Sequence, residues 1–125
     1  MRAVLLTGNG GLSQLQYTES HPVPSLQNGQ ALVKNHISGI NFVDIYYRTG
    51  VYPSTTGFPS ILGQEAAGTI VAVGEPNPCQ FKVGYRVLWI AQGGYAECTA
   101  IPFERLVRIP SEISDQSAVG AHLME

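Results

Sequence analysis

Glycine and proline punctuate this chain from end to end: fourteen glycines and eight prolines fall among its 125 residues. Both weaken helix interiors, glycine through backbone entropy and proline through its missing N–H and its ring. A helical bundle is thereby disfavoured, and a sheet-rich fold with many tight turns is the natural reading. At 44% hydrophobic and 13% charged, the chain has the means to bury a core, and its length suits one domain. The net charge of −2 offers no basic surface for nucleic acid or an acidic membrane. No apolar run approaches the ~20 residues that span a bilayer. The opening MRAVLLTGNGG lacks the apolar region of roughly 7–15 residues that a signal peptide needs. Cys79 and Cys98 lie far apart without a CxxC pair. Two reduced thiols in a cytoplasmic chain are the expectation.

Alternation and turn chemistry give the coarse layout. Residues 1–7 read as a strand, the Gly-Asn-Gly-Gly run at 8–11 as a turn, and residues 12–17 as the returning strand, with Leu15 and Tyr17 on one face. After a proline-rich loop at 21–29, residues 30–38 alternate, with Ala31, Val33 and Ile37 opposite Lys34, His36 and Ser38. Residues 41–49 change to helical spacing, and Gly50 closes the segment. A loop covers 52–60, and residues 65–74 are apolar or small on both faces, as in a strand buried on both sides. Further strands are expected at 85–90, 95–101 and 106–109, which together suggest a compact barrel or sandwich. Ser114 is placed to cap a helix from Asp115, aided by Ile113 and Ala118, which runs through Leu123, Met124 and Glu125 without a stop signal. That pattern points to a cut within a longer protein.

Two chemical motifs fail on inspection. The glycine turn at 8–11 resembles the start of a GxGxxG dinucleotide fingerprint, but position 13 is Ser13 and a strand rather than a helix follows. No row of free helix N–H groups is then available for a pyrophosphate. A catalytic zinc site needs three protein ligands. His21, His36 and His122 are scattered, and Gly63-Gln64-Glu65 offers one carboxylate beside an amide that is a poor zinc ligand.

The informative segment is GINFVDIYYRTGVYP at 39–53. Asn41 carries donor and acceptor, Asp44 an acceptor, and Tyr46 and Tyr52 amphipathic phenols. Such groups suit a planar substrate with carbonyl oxygens. They equally suit a helix capped by Asn41 and Asp44 with tyrosines packed on a core.

That segment, with FPSILGQEAAGTIVAVG, FKVGYRV and GGYAECTAIP, resembles the zeta-crystallin-like quinone oxidoreductases of the medium-chain dehydrogenase/reductase superfamily. The likeness runs from Met1 into the last helix. It implies a mainly β, GroES-like, partly open barrel with short helices spanning residues 1–125. An NADPH-binding Rossmann domain would then lie outside this chain. The resemblance implies hydride transfer from NADPH to a quinone or conjugated carbonyl, a homodimer joined mainly through the other domain, and an inactive isolated fragment. It assigns Asn41 and Tyr46 to the nicotinamide end of the cleft and Tyr52 to the substrate-side loop. Gln64 takes the slot where zinc-dependent relatives carry a ligand histidine ahead of glutamate. A cysteine near Asp44 and the four-cysteine lobe are also missing, so the resemblance is to the zinc-free branch. One departure is Tyr85, in Gly84-Tyr85-Arg86-Val87, where the family usually has a turn aspartate. A GroES-fold binding module and an RNA-binding relative are the rival readings, the latter opposed by the acidic balance.

Overall fold

A computed structural model describes residues 1–122. The chain is mainly β and forms two antiparallel sheets. The smaller has the order β2-β1-β4, from β1 (Ala3–Leu6), β2 (Leu15–Thr18) and β4 (Ser60–Ile61). The larger has the order β7-β3-β5-β6-β8, from β3 (Gln30–Ser38), β5 (Glu65–Val73), β6 (Arg86–Ile90), β7 (Cys98–Pro102) and β8 (Leu106–Arg108). An isolated bridge pairs Ala3 of β1 with Ala96, shortly before β7. Helix α1 (Phe42–Thr49) follows β3, and α2 (Asp115–His122) follows β8.

The doubly buried strand is β5. Ala66 and Ile70 enter the main core with Val33, Val87 and Trp89, while Ala67 turns to a second cluster with Leu88, Ile109 and Val119 of α2. The Trp89 ring is wholly buried, and its Nε1–H donates to Asn35 Oδ1 at 3.1 Å. Asn35 in turn donates from Nδ2 to Ala96 O at 3.0 Å and to Thr99 Oγ1 at 2.9 Å, so this partly buried polar pair is satisfied.

Several expectations shift in detail. The alternation expected along 30–38 breaks at a register irregularity between Asn35 and Ile37. Ala31 and Val33 face the main core, but Ile37 packs on the α2 side, because one extra residue in a bulge reverses the faces beyond it. Gly68 sits at that bulge, where a Cβ would stand 2.0 Å from the Lys34 carbonyl oxygen. Residues 12–14 are a 3-10 turn rather than strand, and the loop expected at 52–60 ends in the two-residue β4. The strand expected from 95 starts at Cys98, because Tyr95 N–H and Glu97 N–H donate to Leu62 O and Arg2 O instead. Tyr85 leaves its turn intact: its N–H reaches Lys82 O at 3.1 Å, and the Arg108 guanidinium lies 3.6 Å above its ring centroid. Ser114 caps α2 as expected, accepting from Ser117 N–H at 3.1 Å. The reading of that helix through 123–125 falls outside the described residues. Cys79 and Cys98 are free thiols.

Candidate functional site

Helix α1 is specified at both ends. Asn41 is its N-cap, extended at φ −131° and ψ 154°. Asp44, at the third helical position, accepts the Asn41 backbone N–H on Oδ2 at 3.0 Å, one half of a capping box. Gly50, at φ 89°, ends the helix in the left-handed conformation and donates to Tyr46 O at 3.1 Å. Arg48 fastens the last turn to the first hairpin loop. Its Nη1 donates to Gly10 O at 2.7 Å, while Gly10 N–H donates to Arg48 O at 2.9 Å. The glycine turn at 8–11 is thus a brace on α1, in keeping with its reading as a turn rather than a phosphate loop.

A buried polar cluster lies beneath the N-terminus of α1. Asp44 is 6% exposed, and its Oδ2 also accepts the Tyr95 hydroxyl at 2.5 Å. Burial, the bond to Asp44 and the charge of Asp44 together hold the Tyr95 phenol well above its ordinary range. Tyr95 reaches this position because Gly63 and Gly94 meet without side chains. A Cβ on Gly63, whose φ is 96°, would lie 2.9 Å from both Gly94 Cα and the Tyr95 ring. Asn41 Nδ2 donates to Oε1 of Glu65, itself 3% exposed, at 3.1 Å. Three buried polar atoms here, Asp44 Oδ1, Gln64 Nε2 and Glu65 Oε2, have no partner among the described residues.

The tyrosines form a second group. The Tyr46 and Tyr52 rings meet edge to face with centroids 5.4 Å apart, and Tyr47 meets Tyr52 at 5.6 Å. Tyr52 N–H also donates to Tyr46 O at 3.1 Å, so loop and helix are joined through backbone as well as rings. Tyr46 and Tyr52 remain 42% and 43% exposed. The alternative of tyrosines packed into a core therefore does not describe these two, although Asn41 and Asp44 do cap the helix. A cleft of about 440 Å³ beside α1 is lined by apolar residues such as Leu12, Phe42 and Leu62, with Asn41, Asp44 and Arg48 among its polar groups. Its size falls in the range of small-molecule sites. Asn41 lines it; Tyr46 and Tyr52 do not.

Of the four residues singled out by sequence, the structure thus pairs Tyr46 with Tyr52 and joins Asn41 to the neighbour of Gln64. Sequence reasoning missed the parts played by Glu65 and Tyr95. The signal for Glu65 was there: a carboxylate opens a strand that is otherwise small and apolar apart from one threonine. Nothing in the local sequence linked Tyr95 to Asp44. Among the described residues no group of three His, Cys, Asp or Glu side chains is placed to hold a metal ion. No described helix is long and apolar enough to cross a membrane.

Residues 27–111 match the family described as the alcohol dehydrogenase GroES-like domain. The chain belongs to that family. This GroES-like domain is 38% identical over 116 residues to a quinone oxidoreductase of Pseudomonas aeruginosa, covering 91% of this chain and 35% of the relative. It is 38% identical over 122 residues to a probable quinone oxidoreductase of Schizosaccharomyces pombe, covering 96% and 36%. The crystal structure of Escherichia coli quinone oxidoreductase complexed with NADPH superposes with a TM-score of 0.90 at 33% identity, covering 98% of this chain and 37% of that one. The resemblance to quinone oxidoreductases of the medium-chain dehydrogenase/reductase superfamily, carried by the motifs around α1 and β5, therefore holds along most of the chain. The domain spans little more than a third of the length of these relatives.

Proposed function

We propose that this domain is the substrate side of an NADPH-dependent quinone oxidoreductase that passes hydride to a quinone or a related conjugated carbonyl. The observation that carries the reading is the edge-to-face contact of Tyr46 with Tyr52, both partly exposed, which leaves aromatic surface and two phenols beside one helix for a planar substrate. The likeness to quinone oxidoreductases, one of them complexed with NADPH, supports the same choice.

NADPH, when bound, supplies the hydride. The work of this chain is positioning and charge stabilisation. Tyr52 donates its hydroxyl to a substrate oxygen and stabilises the negative charge that develops there. Asn41, Tyr46 and Gln64 face the nicotinamide end. The residues suit such a group: Gln64 Nε2 is a buried donor with no partner among the described residues, and Asn41 lines an apolar cleft. The site works without zinc in this proposal, because Gln64 offers an amide and Asp44 Oδ2 already accepts two hydrogen bonds. The main NADPH-binding domain lies outside this chain, and the whole protein is a cytoplasmic homodimer.

The test is Tyr52→Phe in the whole protein. Loss of one directed hydrogen bond should lower kcat/KM for a p-benzoquinone by about tenfold. Unchanged kinetics would remove Tyr52 from the site. The chain of 125 residues, assayed alone, should neither bind NADPH nor turn over the quinone. Turnover by it would overturn the division of labour between domains.

A further inference from the structure

Strand β5 reads Glu-Ala-Ala-Gly-Thr-Ile-Val-Ala-Val, and its one charged side chain is nearly inaccessible at 3% exposure. Burying a carboxylate is costly unless hydrogen bonds or a cation receive it. Glu65 receives Asn41 Nδ2–H on Oε1 at 3.1 Å. The sequence also reserves the space this carboxylate occupies. A Cβ on Gly39 would stand 2.2 Å from Glu65 Oε1 and 2.7 Å from its Cδ and Cγ. Gly39 is not among the positive-φ glycines, so volume and not backbone conformation requires glycine here. Its N–H donates to Glu65 O at 3.2 Å, which holds the chain just past β3 against the start of β5, beside the Glu65 side chain.

We infer that Glu65 is a positioning residue that fixes the amide of Asn41, in a pocket that Gly39 keeps open. The Asn41 NH₂ donates to Glu65 Oε1, and that contact selects which end of the amide faces Glu65. The Asn41 backbone N–H is held at the same time by Asp44 Oδ2 at 3.0 Å. Backbone and side chain of the N-cap are thus each fixed by a separate buried carboxylate. The inference rests on the proposal that Asn41 faces the nicotinamide end of the cleft, and extends it to the residues behind Asn41.

A double-mutant cycle tests it in the NADPH-binding protein that carries this domain, with NADPH affinity read by nucleotide fluorescence and the single-turnover rate read with a p-benzoquinone. Asn41→Ala should weaken NADPH binding about tenfold, Glu65→Ala should cost about as much, and the second change should cost less than about twofold once the first is made. Gly39→Ala should reproduce Glu65→Ala, and Glu65→Gln should stay within about twofold of the parent, since its side-chain oxygen accepts the same N–H. Additive losses, or Glu65→Gln as damaging as Glu65→Ala, would overturn the positioning role and leave Asn41 in the site. A silent Asn41→Ala would overturn the reading of Asn41 itself and this inference with it. If Glu65→Ala does not fold, the Gly39→Ala and Glu65→Gln arms decide the matter. An independent readout is the Asn41 side-chain amide resonance of the chain of 125 residues: it should move in Gly39→Ala, and an unmoved resonance counts against the contact.

Discussion

Helices α1 and α2 each have eight residues, yet they are held to the sheets in opposite ways. Helix α2 lays Val119 against Ala67, Leu88 and Ile109 and is fastened at its start by Asp115. That carboxylate accepts from Arg86 Nη2 at 2.7 Å and pairs with His36 Nδ1 at 3.0 Å. Apolar inside and charged at the rim is the ordinary arrangement. Helix α1 reverses it. Its buried residue is Asp44, while Phe42 is 80% exposed and the preceding Ile40 86% exposed. Hydrophobic burial alone does not hold such a helix, whose Val43 and Tyr47 are only partly buried. Polar bonds fasten it: the Asp44 box, Tyr95 to Asp44, Asn41 to Glu65, and Arg48 to Gly10. A segment that turns carboxylates inward and apolar groups outward, and is fixed by directed bonds, breaks the rules that stabilise a fold and marks a surface meant for contact.

Breaking the polar side of the comparison should have the largest effect. Asp44→Ala strips the acceptor from both the Tyr95 hydroxyl and the Asn41 N–H, and should cost about 3 kcal/mol in urea unfolding. Hydrogen exchange should quicken across α1 before α2 responds. Earlier loss of protection in α2 would sink the idea that the helices are fastened independently. Val119→Ala should loosen α2 by roughly 2 kcal/mol through a lost core contact. The near-ultraviolet signal of the Tyr46–Tyr52 pair should stay unchanged, and a change there would mean that the two ends of the domain are coupled.

The smallest effect is on acid stability. Burial pushes the Asp115 carboxyl up, but the bonds from His36 and Arg86 outweigh it and hold the group below its ordinary value of 3.8. A carboxyl whose folded pKa is depressed contributes stability above its unfolded pKa, and that contribution is lost as pH falls through the folded value. The fastening of α2 should therefore persist from neutral pH down to about 4 and loosen only below it. An α2 that detaches between pH 7 and 5 would show that a group other than Asp115 sets its acid stability.

Much of the fold was legible because its signals are local. The expected strand at 30–38 coincides with β3, and β5 and α1 fall within a residue of their expected bounds. Alternation, small residues on both faces, and a cap at Asn41 with Gly50 at the far end each act through near neighbours. The bulge that turns Ile37 away from Ala31 and Val33 was not legible, because it depends on how β3 registers with β5. β4 was missed because two residues carry no periodicity, and it exists only through pairing with β1.

The candidate site divides along the same line. The residue types around α1 and their order were set by sequence alone, since chemistry and motif spacing are one-dimensional properties. That Asn41 leans on Glu65, that Asp44 takes the hydroxyl of Tyr95 fifty-one residues away, and that Gly39 is glycine for want of space were decided by tertiary structure. Those facts are distances between segments far apart along the chain, and the local sequence around neither partner encodes where the other comes to rest.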